Sequence, residues 1–275
     1  MLKARVITAL VLLAGLLAAL FLLPALAWLG FASLVCGVAA GEWAGMLGFS
    51  VATRRIYAAL LGALCMAAGM VAGLHQDATS APFGLAPVYG VSAFFWLACV
   101  PLWLRAKWQL PGAGAAALLG LVLLLPPSLA IAHLRLLSPW LLLGIMAAVW
   151  VADISAYFTG RAFGRRKLAP SISPGKSWEG AYGAALGVVI YGLACLSYLG
   201  HGWLGANRLL VVIPALIAFT AVSIIGDLFE SLVKRQAGVK DSGTLLPGHG
   251  GVLDRIDSLT STLPIAGLLV LWMAR

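Results

Sequence analysis

An all-α, polytopic integral membrane protein is the fold class this sequence predicts, on three observations. Hydrophobic residues make up 62% of the 275-residue chain and charged residues 10%, whereas a soluble domain is about one quarter charged. Apolar runs of about twenty residues, the length that crosses a bilayer, recur from end to end. The connections between them alternate between rich and poor in lysine and arginine. No loop is long enough to hold a soluble domain and no internal repeat is visible, so 1–275 is expected to be a single membrane-embedded domain.

Nine spans follow in order. The first, 5–22, begins behind the basic stretch MLKAR, and Ala25-Leu26-Ala27 resembles a signal cleavage site. A second run, 25–48, follows at once, so an uncleaved first helix is expected. Span 25–48 carries Glu42 and Trp43 near its end, and 57–74 starts behind Arg54 and Arg55. Span 88–104 stops at Arg105 and Lys107, and 114–131 stops before Arg135. Span 139–160 contains Asp153 and leads into the most basic loop, GRAFGRRK. Span 178–199 is entered from SISPGKSWEG, 209–232 contains Asp227, and 252–273 opens at LDRID.

Charge fixes the orientation. With connections taken alternately, fifteen of the eighteen lysines and arginines fall on one face, and only Arg135, Arg208 and Arg275 on the other. The positive-inside rule makes the first face cytoplasmic, with the N-terminus inside and the C-terminus outside. The net charge of +9 is therefore a topology signal first and an attraction for anionic lipid or phosphate second. No recognition helix or basic–aromatic platform points to nucleic acid. Cys36, Cys65, Cys99 and Cys195 are isolated within spans and read as packing residues. His75, His133 and His201 map to outer loops and His249 to the inner face. Tryptophans read as interfacial anchors, with Trp103, Trp108 and Trp178 in the inner belt and Trp28, Trp140, Trp203 and Trp272 in the outer.

The acids carry the functional signal. Glu42, Asp153, Glu179, Asp227, Glu230, Asp254 and Asp257 all lie in spans or at their ends, each toward the cytoplasmic side. An aspartate at the bilayer centre costs about 2.5–3.5 kcal/mol, so such groups face a wet cavity or a partner. Asp227, Glu230 and Lys234 stand at i, i+3 and i+7 on one helix face, and Asp254 and Asp257 at i and i+3 on the next helix, with Ser258 and Ser261 continuing the stripe. Carboxylates from two helices just under the inner surface suit Mg²⁺, which takes one or two of them and completes its shell with water and phosphate. Lys234, Arg235, Lys240 and Arg255 stand ready to neutralise phosphate oxygens.

Plainer readings stand beside these. Asp254 and Asp257 could serve the helix dipole, and Asp227 an ion pair with Lys234. Glu42 reads as structural, Glu179 as a first-turn acid behind a Ser177 cap, and His249 as a turn residue. Part of the inner basic set would be present for topology alone. GKS at Gly175–Ser177 suggests a phosphate loop, but the required earlier glycine is Pro170 and no βα unit is available. What remains is Lys176 and Ser177 at a helix entry, where free N–H groups favour anions. Asp153 and Tyr157, at i and i+4, share that side.

The stretch Ser231–Asp257, SLVKRQAGVKDSGTLLPGHGGVLDRID, resembles the signature of the phosphatidate cytidylyltransferase (CDP-diacylglycerol synthase) family. Lys234, Arg235, Lys240, Asp241, His249, Gly250, Gly251, Asp254, Arg255 and Asp257 meet its fixed positions. SPGKSWEG, GDLFES and ADISAYFTGR resemble further family segments, with Ser177 where many relatives have threonine, and the signature region spans 223–258. The resemblance implies a homodimeric enzyme that joins CTP to phosphatidic acid within membrane lipid, giving CDP-diacylglycerol and pyrophosphate, with Mg²⁺ and assistance from K⁺. It maps the metal site onto Asp227 and Asp254, and it implies a bacterial inner membrane with the active site facing the cytoplasm.

The residues accept that chemistry. Phosphatidate is already an anionic nucleophile, so the task is to bring two polyanions together by positioning and charge. Asp227 and Asp254 are expected to hold Mg²⁺, with Asp257 beside them. Lys176, Lys234, Arg235, Lys240 and Arg255 are expected on phosphates, with Ser177, Asp153 and Asp241 nearby. His249, Gly250 and Gly251 are expected to close on the triphosphate through backbone N–H groups. Two rivals remain: a CTP-dependent lipid-alcohol kinase, and a transporter with intramembrane acids.

Overall fold

A computed structural model of the chain describes residues 2–76, 84–199, 206–246, 248 and 250–273. The helices are α1 (Leu2–Leu22), α2 (Ala25–Met46), α3 (Val51–Val71), α4 (Leu85–Phe94), α5 (Val100–Ala106), α6 (Ala113–Leu137), α7 (Pro139–Phe163), α8 (Trp178–Leu199), α9 (Ala206–Gln236) and α10 (Leu253–Met273). Two short antiparallel strands, β1 (Lys167–Ala169) and β2 (Ser173–Ser177), separate α7 from α8. Among the described residues eight helical stretches are long and apolar enough to cross a membrane, and Ile7–Leu22 is a shorter apolar helix. The chain is an all-α polytopic membrane protein, as its composition requires.

Local chemistry explains the boundaries. Ser50 accepts the Thr53 N–H at 3.2 Å and starts α3 six residues ahead of the expected position, an N-cap of the usual kind. Leu85–Ala106 is one span broken by a π-turn at Phe95–Cys99. Pro101 follows it, and with no N–H to offer the carbonyl four residues back it disrupts the helical ladder there. Gly112 leads into α6, and Ser138 accepts the Leu141 N–H to open α7 behind Pro139.

Helices α2, α6 and α10 form the enclosed centre of the bundle. Phe229 of α9 packs edge-to-face against Phe95, Trp96 and Trp103, with ring centroids 5.8, 5.7 and 5.6 Å away. Such aromatic pairs add to the area they bury, and here they lock α9 to the π-turn. Helices α7 and α8 approach through small residues: a Cβ on Gly180 would lie 3.0 Å from the Ala156 carbonyl and 3.5 Å from the Gly160 Cα. Close backbone approach of this kind is how membrane helices gain packing energy without a hydrophobic driving force.

Two expectations are corrected. His133 is not in an outer loop: it is buried within α6 and stacks on Tyr89 of α4, with centroids 5.9 Å apart. Trp28 is not an interfacial anchor. It is 1% exposed, donates to the Ile131 carbonyl and carries the Arg135 guanidinium over its ring. Trp140 and Trp272 do remain exposed, as belt residues should. Asp77, His201 and Trp203 lie outside the described residues.

Candidate active site

Helices α7, α8 and α9 and the β-hairpin enclose a cavity of roughly 480 Å³. Its polar wall comes from Asp153 and Arg161 of α7, Lys176 of β2 and Asp227 of α9. The hairpin exists because Lys167 pairs in register with Ser177, which turns the chain back over the end of α7. Glu179 fixes its base by accepting the Arg165 and Arg166 N–H groups at 3.1 and 3.2 Å. Ser177 accepts the Gly180 N–H at 3.2 Å and caps α8, as the sequence suggested. Lys176 is thereby projected onto Asp227, with which it forms an ion pair, each side chain 26% exposed. Ser231 Oγ donates to the second Asp227 oxygen at 3.3 Å. The sequence offered Lys234 as partner to Asp227; the hairpin supplies Lys176 instead.

Asp257 of α10 lies within electrostatic reach of both Asp227 and Asp153, and Arg255 within reach of Asp153. The cavity therefore gathers three carboxylates and three cations, Arg161, Lys176 and Arg255, in a largely apolar setting. All the candidate donors are hard oxygens, which suits Mg²⁺. Among the described residues no three acids, histidines or cysteines form a ready ligand set.

A second polar cluster lies between α9, α10 and the loop 237–252. Lys234 Nζ sits 2.7 Å from Asp254 Oδ1 and 3.1 Å from Glu230 Oε1, and the three side chains are 11%, 4% and 7% exposed. Among the described residues Glu230 has no polar partner apart from Lys234, and it borders a small apolar void between Trp43, Trp96 and Thr260. Asp227 and Glu230, although three residues apart, thus serve different spaces. Asp254 Oδ2 accepts the Ser242 and Gly251 N–H groups, both at 2.8 Å, and the Ser242 hydroxyl at 3.0 Å. Gly250 has φ +81°, and a Cβ on it would stand 2.7 Å from Asp254 Oδ2. The glycine pair is needed so that the backbone can fold around this carboxylate.

The structure thus brings together Asp153, Lys176, Ser177, Asp227 and, electrostatically, Arg255 and Asp257. It brings Lys234, Asp254 and Gly251 together in the adjoining cluster. Arg235, Lys240 and Asp241 are exposed on the loop side, with Arg235 reaching the Val239 carbonyl. His249 lies outside the described residues. The N–H groups of Gly251, Val252 and Leu253 are spent on carboxylates. Sequence reading did not single out Arg161, which lines the cavity and donates to the Tyr157 hydroxyl at 3.0 Å. Its signal was present, since Asp153, Tyr157 and Arg161 recur every four residues along one helical face. Nor did it single out Ser242 as a partner of Asp254; that contact depends on the fold of the loop.

Residues 3–273 match the model of the cytidylyltransferase family. A phosphatidate cytidylyltransferase of Pseudomonas aeruginosa is 43% identical over 287 residues, covering 100% of this chain and 98% of its own. Phosphatidate cytidylyltransferases of Haemophilus influenzae and Thermotoga maritima are 50% identical over 125 residues and 45% over 130. Those two matches cover 46% and 44% of this chain, and 43% and 46% of the relatives. With a match over nearly its whole length and a relative that it spans end to end, the chain belongs to the cytidylyltransferase family.

Proposed function

We propose that this enzyme transfers the cytidylyl group of CTP to phosphatidic acid, forming CDP-diacylglycerol and pyrophosphate, in the cavity between α7, α8 and α9. The observation that carries the reading is the Lys176–Asp227 pair on the wall of that cavity, beside Asp153 and Arg161, in a protein otherwise built of hydrocarbon. A phosphatidate oxygen forms a bond to the α-phosphorus of CTP as the bond from that phosphorus to the β-phosphate oxygen breaks. Pyrophosphate leaves with the electron pair. The phosphatidate headgroup needs no strong base, so the residues act by orientation and by charge.

Lys176, Arg161 and Arg255 are the cations proposed to receive phosphate oxygens. Lys234, held between Glu230 and Asp254, fixes the α9–α10 junction against which the nucleotide rests, with Arg235 and Lys240 on the outer loop. Asp227 and Asp254 are the carboxylates proposed to hold Mg²⁺, and Asp257 and Asp153 add to the negative field. One feature supports this: each of the first two already carries an ammonium group, so both carboxylates stand where positive charge is stabilised. Mg²⁺, when bound, supplies charge to offset the repulsion between the two polyanions. The apolar helices around the cavity keep bulk water from competing with the lipid phosphate.

The site is proposed to face the cytoplasm of a bacterial inner membrane, crossed by nine spans. The bacterial sources of the relatives and the fifteen-to-three distribution of basic residues support that sidedness. A homodimer is part of the same proposal. The test uses the purified protein with phosphatidate in mixed micelles. CTP labelled in the α-phosphate should place the label in the lipid, and γ-label should leave as pyrophosphate. Label from the γ-phosphate in the lipid would show a kinase instead, and no transfer of either label would reject the reading.

A further inference from the structure

Glu42 stands on α2, two hundred residues before the signature stretch, yet its carboxylate is buried against that stretch at 6% exposure. No lysine or arginine pairs with it among the described ion pairs. Its charge is met by hydrogen bonds alone. Oε1 accepts the Val252 N–H at 2.9 Å; Oε2 accepts the Leu253 N–H at 2.8 Å and lies 3.1 Å from the Ser242 hydroxyl. The first two donors are N–H groups at the start of α10, which have no partner within the helix. Glu42 therefore caps α10 from a distant helix. Ser242 Oγ is also 3.0 Å from Asp254 Oδ2; its one hydrogen serves one carboxylate oxygen at a time, and the hydroxyl stands between the two acids, so the position of Glu42 bears on Asp254. The packing leaves no slack: a Cβ on Gly243 would stand 2.7 Å from Glu42 Oε1.

We infer that Glu42 is a positioning residue of the active site: by holding Ser242 and the first amides of α10, it sets the orientation of Asp254 and, through Asp254, of Lys234. The inference rests on the reading that Asp254 and Lys234 belong to that site. Nothing in the chemistry requires Glu42 to touch substrate. Its carboxylate is enclosed by backbone and hydroxyl donors, so it acts through Asp254.

The test compares full-length wild-type protein with Glu42→Gln, Ser242→Ala and the double variant in phosphatidate mixed micelles, recording kcat, both KM values and thermal unfolding. Glu42→Gln should lower kcat about ten-fold or more with KM for phosphatidate within about two-fold, because the amide keeps the volume but sets an NH₂ against a backbone N–H. Ser242→Ala should move kcat the same way by less. The double variant should fall within about two-fold of Glu42→Gln alone, since both changes cut one connection. Wild-type kcat in Glu42→Gln would overturn the inference. So would a Glu42→Gln protein that cannot be recovered folded, or whose activity falls only with its folded fraction, because the role would then be structural. Asp254→Asn separates the two levels. Full turnover there defeats the reading of the site itself, whereas an inactive Asp254→Asn beside a fully active Glu42→Gln defeats only the role of Glu42.

Discussion

Asp227→Asn is expected to abolish nearly all CDP-diacylglycerol formation while leaving the protein folded. The substitution keeps the shape of the side chain and removes its charge. Asp227 is the carboxylate of α9 on the cavity wall, paired with Lys176 and within electrostatic reach of Asp257. Losing one preorganised electrostatic group in a reaction centre costs about a hundred- to a thousand-fold in rate. If Asp227 also holds Mg²⁺, the loss lies at the upper end of that range. Stability should change little. The Lys176–Asp227 pair is about a quarter exposed, so the ammonium left by the substitution still reaches water and the amide, and the loss stays below that of a fully buried pair. Initial rates at saturating CTP, measured beside a thermal unfolding curve, read both quantities. An unfolded variant, or one with wild-type turnover, would contradict the assignment.

Lys234→Met should do the opposite to the balance of effects, damaging stability and activity together. Lys234 is the single cation between Glu230 and Asp254, and all three side chains are largely enclosed. Removing one member of a buried charge pair costs about 3–5 kcal/mol, because the partner is left charged without compensation. The two acids do not suffer equally. Asp254 retains the Ser242 and Gly251 N–H groups, whereas Glu230 has no other polar partner among the described residues. The orphaned charge therefore belongs mainly to Glu230. Adding Glu230→Gln to Lys234→Met should recover much of the lost thermal stability without restoring catalysis. A double variant as unstable as Lys234→Met would show that the instability arises elsewhere.

The bundle was readable from the chain because bilayer spanning leaves a strong mark. Runs of apolar residues located α2 and α7 through α10 to within a few residues, whereas α6 continues six residues past its expected end. The third span begins earlier than its apolar run, because Arg54 and Arg55 read as a loop although Ser50 caps a helix that contains them. The β-hairpin was not anticipated. Three- and five-residue strands around Pro170 and Pro174 carry no periodicity, and their pairing is fixed by Glu179 holding Arg165 and Arg166. His133 maps to a loop only because the expected span ends at 131; α6 continues to Leu137, and a stacked tyrosine in another helix supplies the histidine's partner.

The candidate site was legible wherever its residues share one helix and obscure where they meet across the bundle. Asp153 and Tyr157 share one face of α7 and both line the cavity, as their spacing suggests. Lys176 meets Asp227 across fifty-one positions, and Glu42 meets Leu253 across two hundred and eleven. No local pattern encodes either contact. What the chain does show is the cost of leaving such acids unpaired in an apolar medium. That cost requires partners without naming them, and the fold chooses Lys176 for Asp227, Lys234 for Glu230 and backbone amides for Glu42.

The most direct measurement is an experimental structure of the protein with Mg²⁺ and a non-hydrolysable CTP analogue in lipid nanodiscs. Nucleotide phosphates should lie in the space bounded by α7, α8 and α9, with Lys176 turned from Asp227 toward a phosphate and cation density on the Asp227 carboxylate. Nucleotide bound on another face of the bundle, with the Lys176–Asp227 pair intact and that space filled only by lipid chains, would contradict the assignment of this cavity as the place where CTP and phosphatidate meet.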